Sequence, residues 1–146
     1  MNGAEFLTVA ECLLDGETEA EWRSAVSRAY YAVFHQARRI LLRCGFQPIR
    51  GDQAHAFLWL RLANSGHPDI RQAGLDLQEL RGMRNWADYD MDQSMHHHEA
   101  AKHVTSAINL VQILQSVDAE PVILSRITEA IKTYERDILH QVTWQP

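Results

Sequence analysis

Two short stretches hold the residues best placed to do chemistry. Leu80–Asp90 (LRGMRNWADYD) puts Arg84 on an otherwise apolar helical stripe, between Leu80 and Ala87, with Asn85, Trp86, Asp88 and Tyr89 after it. An unpaired guanidinium is costly to bury, so Arg84 must meet a carboxylate, a ligand or a partner chain. The plain reading is an i,i+4 ion pair with Asp88, worth roughly a few tenths of a kcal/mol. The other reading has Arg84 gripping a phosphate through two parallel hydrogen bonds, with Asn85 beside it and Asp88 holding it in place. The second stretch is Ser27–Leu42 (SRAYYAVFHQARRILL). Arg28, Tyr31 and His35 fall on one helix face, which can approach Arg84 in a bundle, and Arg38 adds a further cation for phosphate. Tyr30 lies on the apolar stripe, whereas Tyr31 is freer to hydrogen-bond or stack on a base. His35 titrates near neutrality and so qualifies for proton transfer, although a lone helical histidine is more often structural.

A third cluster, Met95-His96-His97-His98-Glu99 with His103 beyond, puts His96, Glu99 and His103 on one face. Strong zinc sites draw ligands from two elements, and neither a cysteine nor a second histidine motif completes this set. No metal is expected there, and no cofactor elsewhere: phosphate loop, dinucleotide fingerprint, nucleophile elbow and zinc-protease motif are all absent. Cys12 and Cys44 show neither ligand spacing nor a disulfide framework, as in a reducing cytosol.

The elements that must position these residues are helices. The clearest stripe runs Trp22, Val26, Ala29/Tyr30, Val33, Ala37, Ile40/Leu41, Cys44, with Gly45 as its stop. A short helix over 4–14 precedes it and a loop carrying Pro48 and Gly51 follows. Asp52 is expected to cap a helix to about Asn64, and the next runs from about Asp69 to Asp88. Beyond an acidic break, Ser94 leads into a helix through Val111. Glu120-Pro121 then opens a last amphipathic helix through Ile138. The expected fold is all-α: an antiparallel up-down helical bundle of four long helices plus one or two shorter ones, forming a single domain over 1–146.

The chain has 146 residues, 46% hydrophobic and 23% charged, enough to bury a core without disulfide or metal. No apolar run is long enough to span a bilayer, and the first residues lack the basic region of a signal peptide, so a cytoplasmic protein without membrane contact is expected. The net charge of −5 is uneven: residues 1–21 hold six acids and no Lys or Arg, whereas Trp22–Gly51 holds six arginines and no acid. Either the arginine stretch attracts a polyanion or an acidic partner surface, or the acidic N-terminal helix lies against it and neutralises it.

SRAYYAVFHQARRILL followed by LRGMRNWADYD resembles the HEPN domain, in the branch that reads Arg-x-Tyr-Tyr on one helix and Arg-x-x-x-Asp-Tyr on a later one. The resemblance covers roughly residues 4–117 and leaves 119–146 as a C-terminal helical extension. It implies a helical bundle, usually a homodimer, with the second motif facing a cleft between subunits. Many such proteins are metal-independent ribonucleases built on Arg, four to six residues, then His. Others are toxins paired with a small nucleotidyltransferase antitoxin, or non-catalytic RNA-binding and scaffolding modules. Arg84 matches the motif arginine and Asn85 the polar residue after it, but Tyr89 stands where the histidine is expected. An unperturbed Tyr has a pKa of about 10 and is a poor base at neutral pH.

The motif thus keeps its phosphate-binding half, Arg84 and Asn85 with Arg28, Tyr31 and Arg38, and loses its proton-transfer half. A dimeric RNA- or protein-binding component of a toxin–antitoxin or defence system is the leading expectation. An active endoribonuclease, with Tyr89 or His35 standing in, is the alternative, and a helical interaction module without nucleic acid is the third. The resemblance also makes Tyr89 the candidate acceptor for AMP from a nucleotidyltransferase partner.

Overall fold

A computed structural model describes residues 1–145, and among these there are six α-helices and no strand. They are α1 (Glu5–Leu14), α2 (Glu19–Arg43), α3 (Ala54–Ala63), α4 (Pro68–Tyr89), α5 (His97–Asp118) and α6 (Pro121–Tyr134), with one π-helical turn over Glu135–Leu139. The fold is all-α, a helical bundle with α2 at its centre, packed by α1, α4 and α5. No helix among the described residues is long and apolar enough to cross a membrane.

Local chemistry sets the helix limits. Thr18 accepts from the Glu21 amide at 3.2 Å and its hydroxyl donates to Glu21 Oε1 at 2.7 Å, an N-cap that starts α2 three residues before the apolar stripe. Gly45, at φ +95°, ends it. Asp52 is not the cap of α3: Gln53 holds that position and its side chain makes no capping bond. Pro68 opens α4 behind His67, whose ring accepts from the Ile70 amide. At Gly74 the α3 and α4 backbones come so close that a Cβ would stand 2.7 Å from the Ala63 nitrogen, so only glycine allows this crossing. The start of α5 also shifts: His96 is its N-cap, where Ser94 was expected to lead.

One core joins Tyr30, Ile40 and Leu41 of α2 to Leu58 and Leu62 of α3, Leu77 of α4, Leu114 of α5 and Ile127 and Ile131 of α6. The final helix therefore buries its stripe in that core. Its α-helical part stops at Tyr134 and does not continue through Ile138, which is exposed. The buried Glu135 carboxylate is held inward by Arg61 at 2.7 Å and by the Thr143 amide and hydroxyl at 2.9 and 2.7 Å, and the helical ladder widens there into the π turn.

The acidic helix α1 lies against α2 without pairing with its arginines, and of the acids in residues 1–21 Glu19, on α2 itself, meets one. α1 packs on α2 through Phe6, Leu7, Leu13 and Leu14, which turns Glu5 and Glu11 outward. The paired arginines of α2 find other partners: Arg23 meets Glu19, and Arg39 and Arg43 share Asp118. Among the described residues, Arg28, Arg38 and Arg50 have no carboxylate partner.

Candidate functional site

The site forms where the last turns of α4 cross the first half of α2. A helix end leaves carbonyls without intrahelical partners, and here Arg23 satisfies them. Its Nη1 donates to the carbonyls of Trp86, Ala87 and Asp90 at 3.2, 3.0 and 2.8 Å, and its Nη2 to that of Gln93. Glu19 anchors the Arg23 Nε at 2.9 Å and accepts the Met95 amide at 2.8 Å, contacts that hold its carboxyl below the usual range, the backbone bond first. One network thus fixes the end of α4 and the following loop against α2.

Arg84 lies inside that frame. Its Nε is 2.9 Å from Asp88 Oδ2, and the Ser27 hydroxyl donates to the same oxygen at 3.1 Å. The i,i+4 pair is therefore real, but the Nε–H is not aimed at the carboxylate and finds no acceptor among the described residues. Nη1 donates to Asn85 Oδ1 at 3.1 Å. The guanidinium carbon lies 5.3 Å from the centre of the Tyr31 ring, and that of Arg28 lies 5.1 Å from the same ring. Two cations on one ring are each stabilised by its electron-rich faces, and the positive charge gathered there favours an anion.

Tyr31 is the hub of the cluster. His35 and His55 both have ring centres 6.4 Å from it. Tyr89 is 73% exposed, and its ring centre lies 5.6 Å from the Arg84 guanidinium carbon. The structure thus brings Arg28, Tyr31, His35, Arg84, Asn85, Asp88 and Tyr89 together. Arg38 lies further along α2, in a separate cleft beside His35 and Arg50. The histidine run is divided: His96 and His98 stack in solvent, whereas His97 bonds the Leu14 carbonyl at 3.0 Å and packs edge-on against Trp22.

Two residues of the cluster escaped the sequence reading. His55, on α3, bonds the Tyr30 hydroxyl through Nδ1 and stacks on the Tyr30 ring. Burial pushes it below the ordinary histidine range, and the charges of Arg81 and Arg84 add to that; burial likewise raises Tyr30 well above the usual tyrosine range. Arg81, three residues before Arg84 on α4, is the second, and its buried Nε has no hydrogen-bond partner among the described residues. The i−3 spacing was a local signal for Arg81. His55 reaches the site only through the packing of α3, and no spacing signals that.

A family model described as HEPN domain matches residues 2–117. No curated protein and no solved structure matches the sequence.

Proposed function

Because the chain belongs to the HEPN domain family, we propose that it is an RNA-binding HEPN protein that acts as a homodimer within a toxin–antitoxin or defence system. In this reading Arg84 is the phosphate grip. The observation that carries it is the meeting of Arg84 and Arg28 on Tyr31: two guanidiniums lie over one aromatic ring. Tyr31 offers a base-stacking surface beside them. Tyr89 follows Arg84 where the catalytic histidine of ribonuclease members is expected, so the motif grips phosphate without transferring protons. Exposed Tyr89 and Met91 beside it suit a subunit or partner contact.

Fluorescence anisotropy with single-stranded RNA tests the reading. Wild type should bind with an affinity that falls steeply as salt rises, and Arg84→Ala should lose about tenfold or more. Equal affinity of the two proteins, or binding indifferent to salt, would replace it with a protein-interaction role. Gel filtration with light scattering tests the homodimer, and a monomer at micromolar concentration would sink it.

We also propose Tyr89 as the acceptor of AMP from a nucleotidyltransferase antitoxin. Its exposure at the end of α4 supports this, since a transferase must reach the hydroxyl. Intact mass after co-expression should show an AMP-sized addition that Tyr89→Phe abolishes. An unshifted mass would exclude it.

A further inference from the structure

The second half of α2 carries a surface that the Arg84 motif does not use. Where it faces the N-terminal segment, a hollow of about 580 Å³ opens, lined by Phe6, His35, Gln36, Arg38, Leu42 and Arg43 among others. Any side chain at Gly3 would clash with His35, so the N-terminal segment closes tightly along one side. A smaller cleft of about 360 Å³ shares His35 and Arg38 with the hollow and runs on to Ile49 and Arg50. No carboxylate lines either space among the described residues. Gln36 lies 5% exposed against the hollow, yet its amide makes no hydrogen bond among the described residues. Buried amides are nearly always paired, so this one suits a partner that both donates and accepts. A peptide group does both, whereas a phosphate diester accepts only.

The arginines around Gln36 have donors to spare. Arg38 and Arg50 meet no carboxylate among the described residues. Arg39 bonds Asp118 through Nε at 3.1 Å, and Arg43 bonds its carboxylate and carbonyl through Nη1 at 2.6 and 2.9 Å. That leaves both Nη groups of Arg39, and Nε and Nη2 of Arg43, without an acceptor among the described residues, on side chains 59% and 48% exposed. Four guanidiniums therefore face one carboxylate, and the excess charge is positive. The apolar seats between them are aliphatic: Leu42 is 40% exposed and Ile49 half-buried. The Phe6 ring is already stacked on His35 at 5.6 Å. Single-stranded nucleic acid relies on stacking platforms, whereas aliphatic seats suit amino-acid side chains.

We propose that this face of α2 is the docking surface for an extended acidic segment of a partner protein. Its carboxylates meet Arg38, Arg39, Arg43 and Arg50, one of its peptide groups pairs with the Gln36 amide, and an aliphatic side chain seats on Leu42. From His35 to Arg43 the helix rises about 12 Å, the span of roughly four residues of extended chain. Alternate side chains of such a strand point to opposite sides, so acids and aliphatic residues in alternation satisfy both kinds of contact at once.

Asp118 supplies a precedent inside the fold: one carboxylate already bridges two of these guanidiniums. The exposed arginines steer an acidic chain to the surface and lose strength as salt screens them, while Gln36 and the aliphatic seats hold what has docked. The surface lies apart from the Arg84–Tyr31 cluster, goes beyond the RNA reading and does not rest on it.

The test is fluorescence anisotropy of the full chain with a labelled peptide, Gly-Asp-Leu-Asp-Glu-Leu-Asp-Gly. The same peptide with Lys at every acidic position, and unlabelled oligo-uridine as competitor, run beside it. Wild type should bind the acidic peptide and not the lysine one, with an affinity that falls as salt rises. Arg38→Glu/Arg50→Glu breaks no ion pair of the fold. It should weaken the acidic peptide by about tenfold or more and gain binding of the lysine peptide, a swap that misfolding would not give. Gln36→Leu keeps the bulk at that position and should weaken the acidic peptide by about threefold, at high salt as well as low. Failure of folded wild type to bind the acidic peptide, or binding that the charge reversal leaves unchanged, overturns the proposal. Displacement by oligo-uridine at lower concentration than by unlabelled peptide also overturns it and makes the face a nucleic-acid site. So does self-association of the chain that the reversal abolishes, which would name the acidic α1 of a second copy as the occupant. RNA affinity lost in Arg84→Ala stands or falls separately from each of these results.

Discussion

Arg61 and Arg84 are built from the same parts and end in opposite circumstances. Each is a helical arginine laid on an aromatic ring and joined to a carboxylate: Arg61 on Phe57 with Glu135 at 2.7 Å, Arg84 on Tyr31 with Asp88 at 2.9 Å. The Arg61 pair is sealed, with side chains 3% and 0% exposed, and the Thr143 amide and hydroxyl also bond the Glu135 carboxylate. The Arg84 pair is 15% and 26% exposed, shares its ring with a second arginine, and is flanked by a solvent-facing tyrosine. Residue type and parts list therefore do not set the two arginines apart. What separates them is how far each ion pair is open to solvent.

Substitutions that remove one member of each pair put this contrast to the test. Glu135→Ala strands a buried guanidinium and should cost about 3–5 kcal/mol, read as a large drop in Tm, while RNA affinity per folded molecule stays unchanged. A drop of less than about 1 kcal/mol would mean that the sealed pair is no different from the open one. Arg84→Ala should do the reverse, changing stability by less than about 1 kcal/mol in denaturant titration while weakening RNA binding about tenfold or more. Arg28→Ala, which leaves one cation on Tyr31, should weaken binding only a few-fold and flatten its salt dependence.

A smaller effect concerns pH. His35, His55 and His103 are all held below 6.5, burial being the first cause in each, so the folded chain binds fewer protons than the unfolded chain just below that pH. Stability should be fully present above pH 6.5 and decline as pH falls through the lowered histidine values, seen as a lower Tm at pH 5.5 than at pH 7. His55→Gln should reduce that slope. Smallest of all on stability is Tyr89→Phe: at 73% exposure the loss of one hydroxyl should stay within about 0.5 kcal/mol by thermal melt.

The legible parts of this molecule were those that repeat within a turn or two of helix. The stripe of α2, the Gly45 stop and the Arg84–Asp88 spacing are local patterns, and they map onto the structure directly. The order of the two motifs then pointed to the HEPN family, whose model covers residues 2–117. What stayed hidden depends on contacts between distant segments. Arg23 reads as one more cation in a basic stretch, yet it is 8% exposed and caps a helix more than sixty residues away. Arg61 and Glu135 lie 74 positions apart, and nothing in either neighbourhood announces the other. His55 sits in a short helix without a motif, and only the packing of α3 brings it beside Tyr31.

The Arg23 network also determines how the end of α4 can respond to change. Four carbonyls from Trp86 to Gln93 hang on one guanidinium, which is rooted in the adjoining helix and braced by Glu19. The segment carrying Tyr89 is thus a stiff bracket. A bulky group attached to that phenol would find no slack in the backbone to unwind, and would act through its own volume and charge over Arg84. Any switch placed at this position is steric and electrostatic, and the scaffold beneath it stays in register.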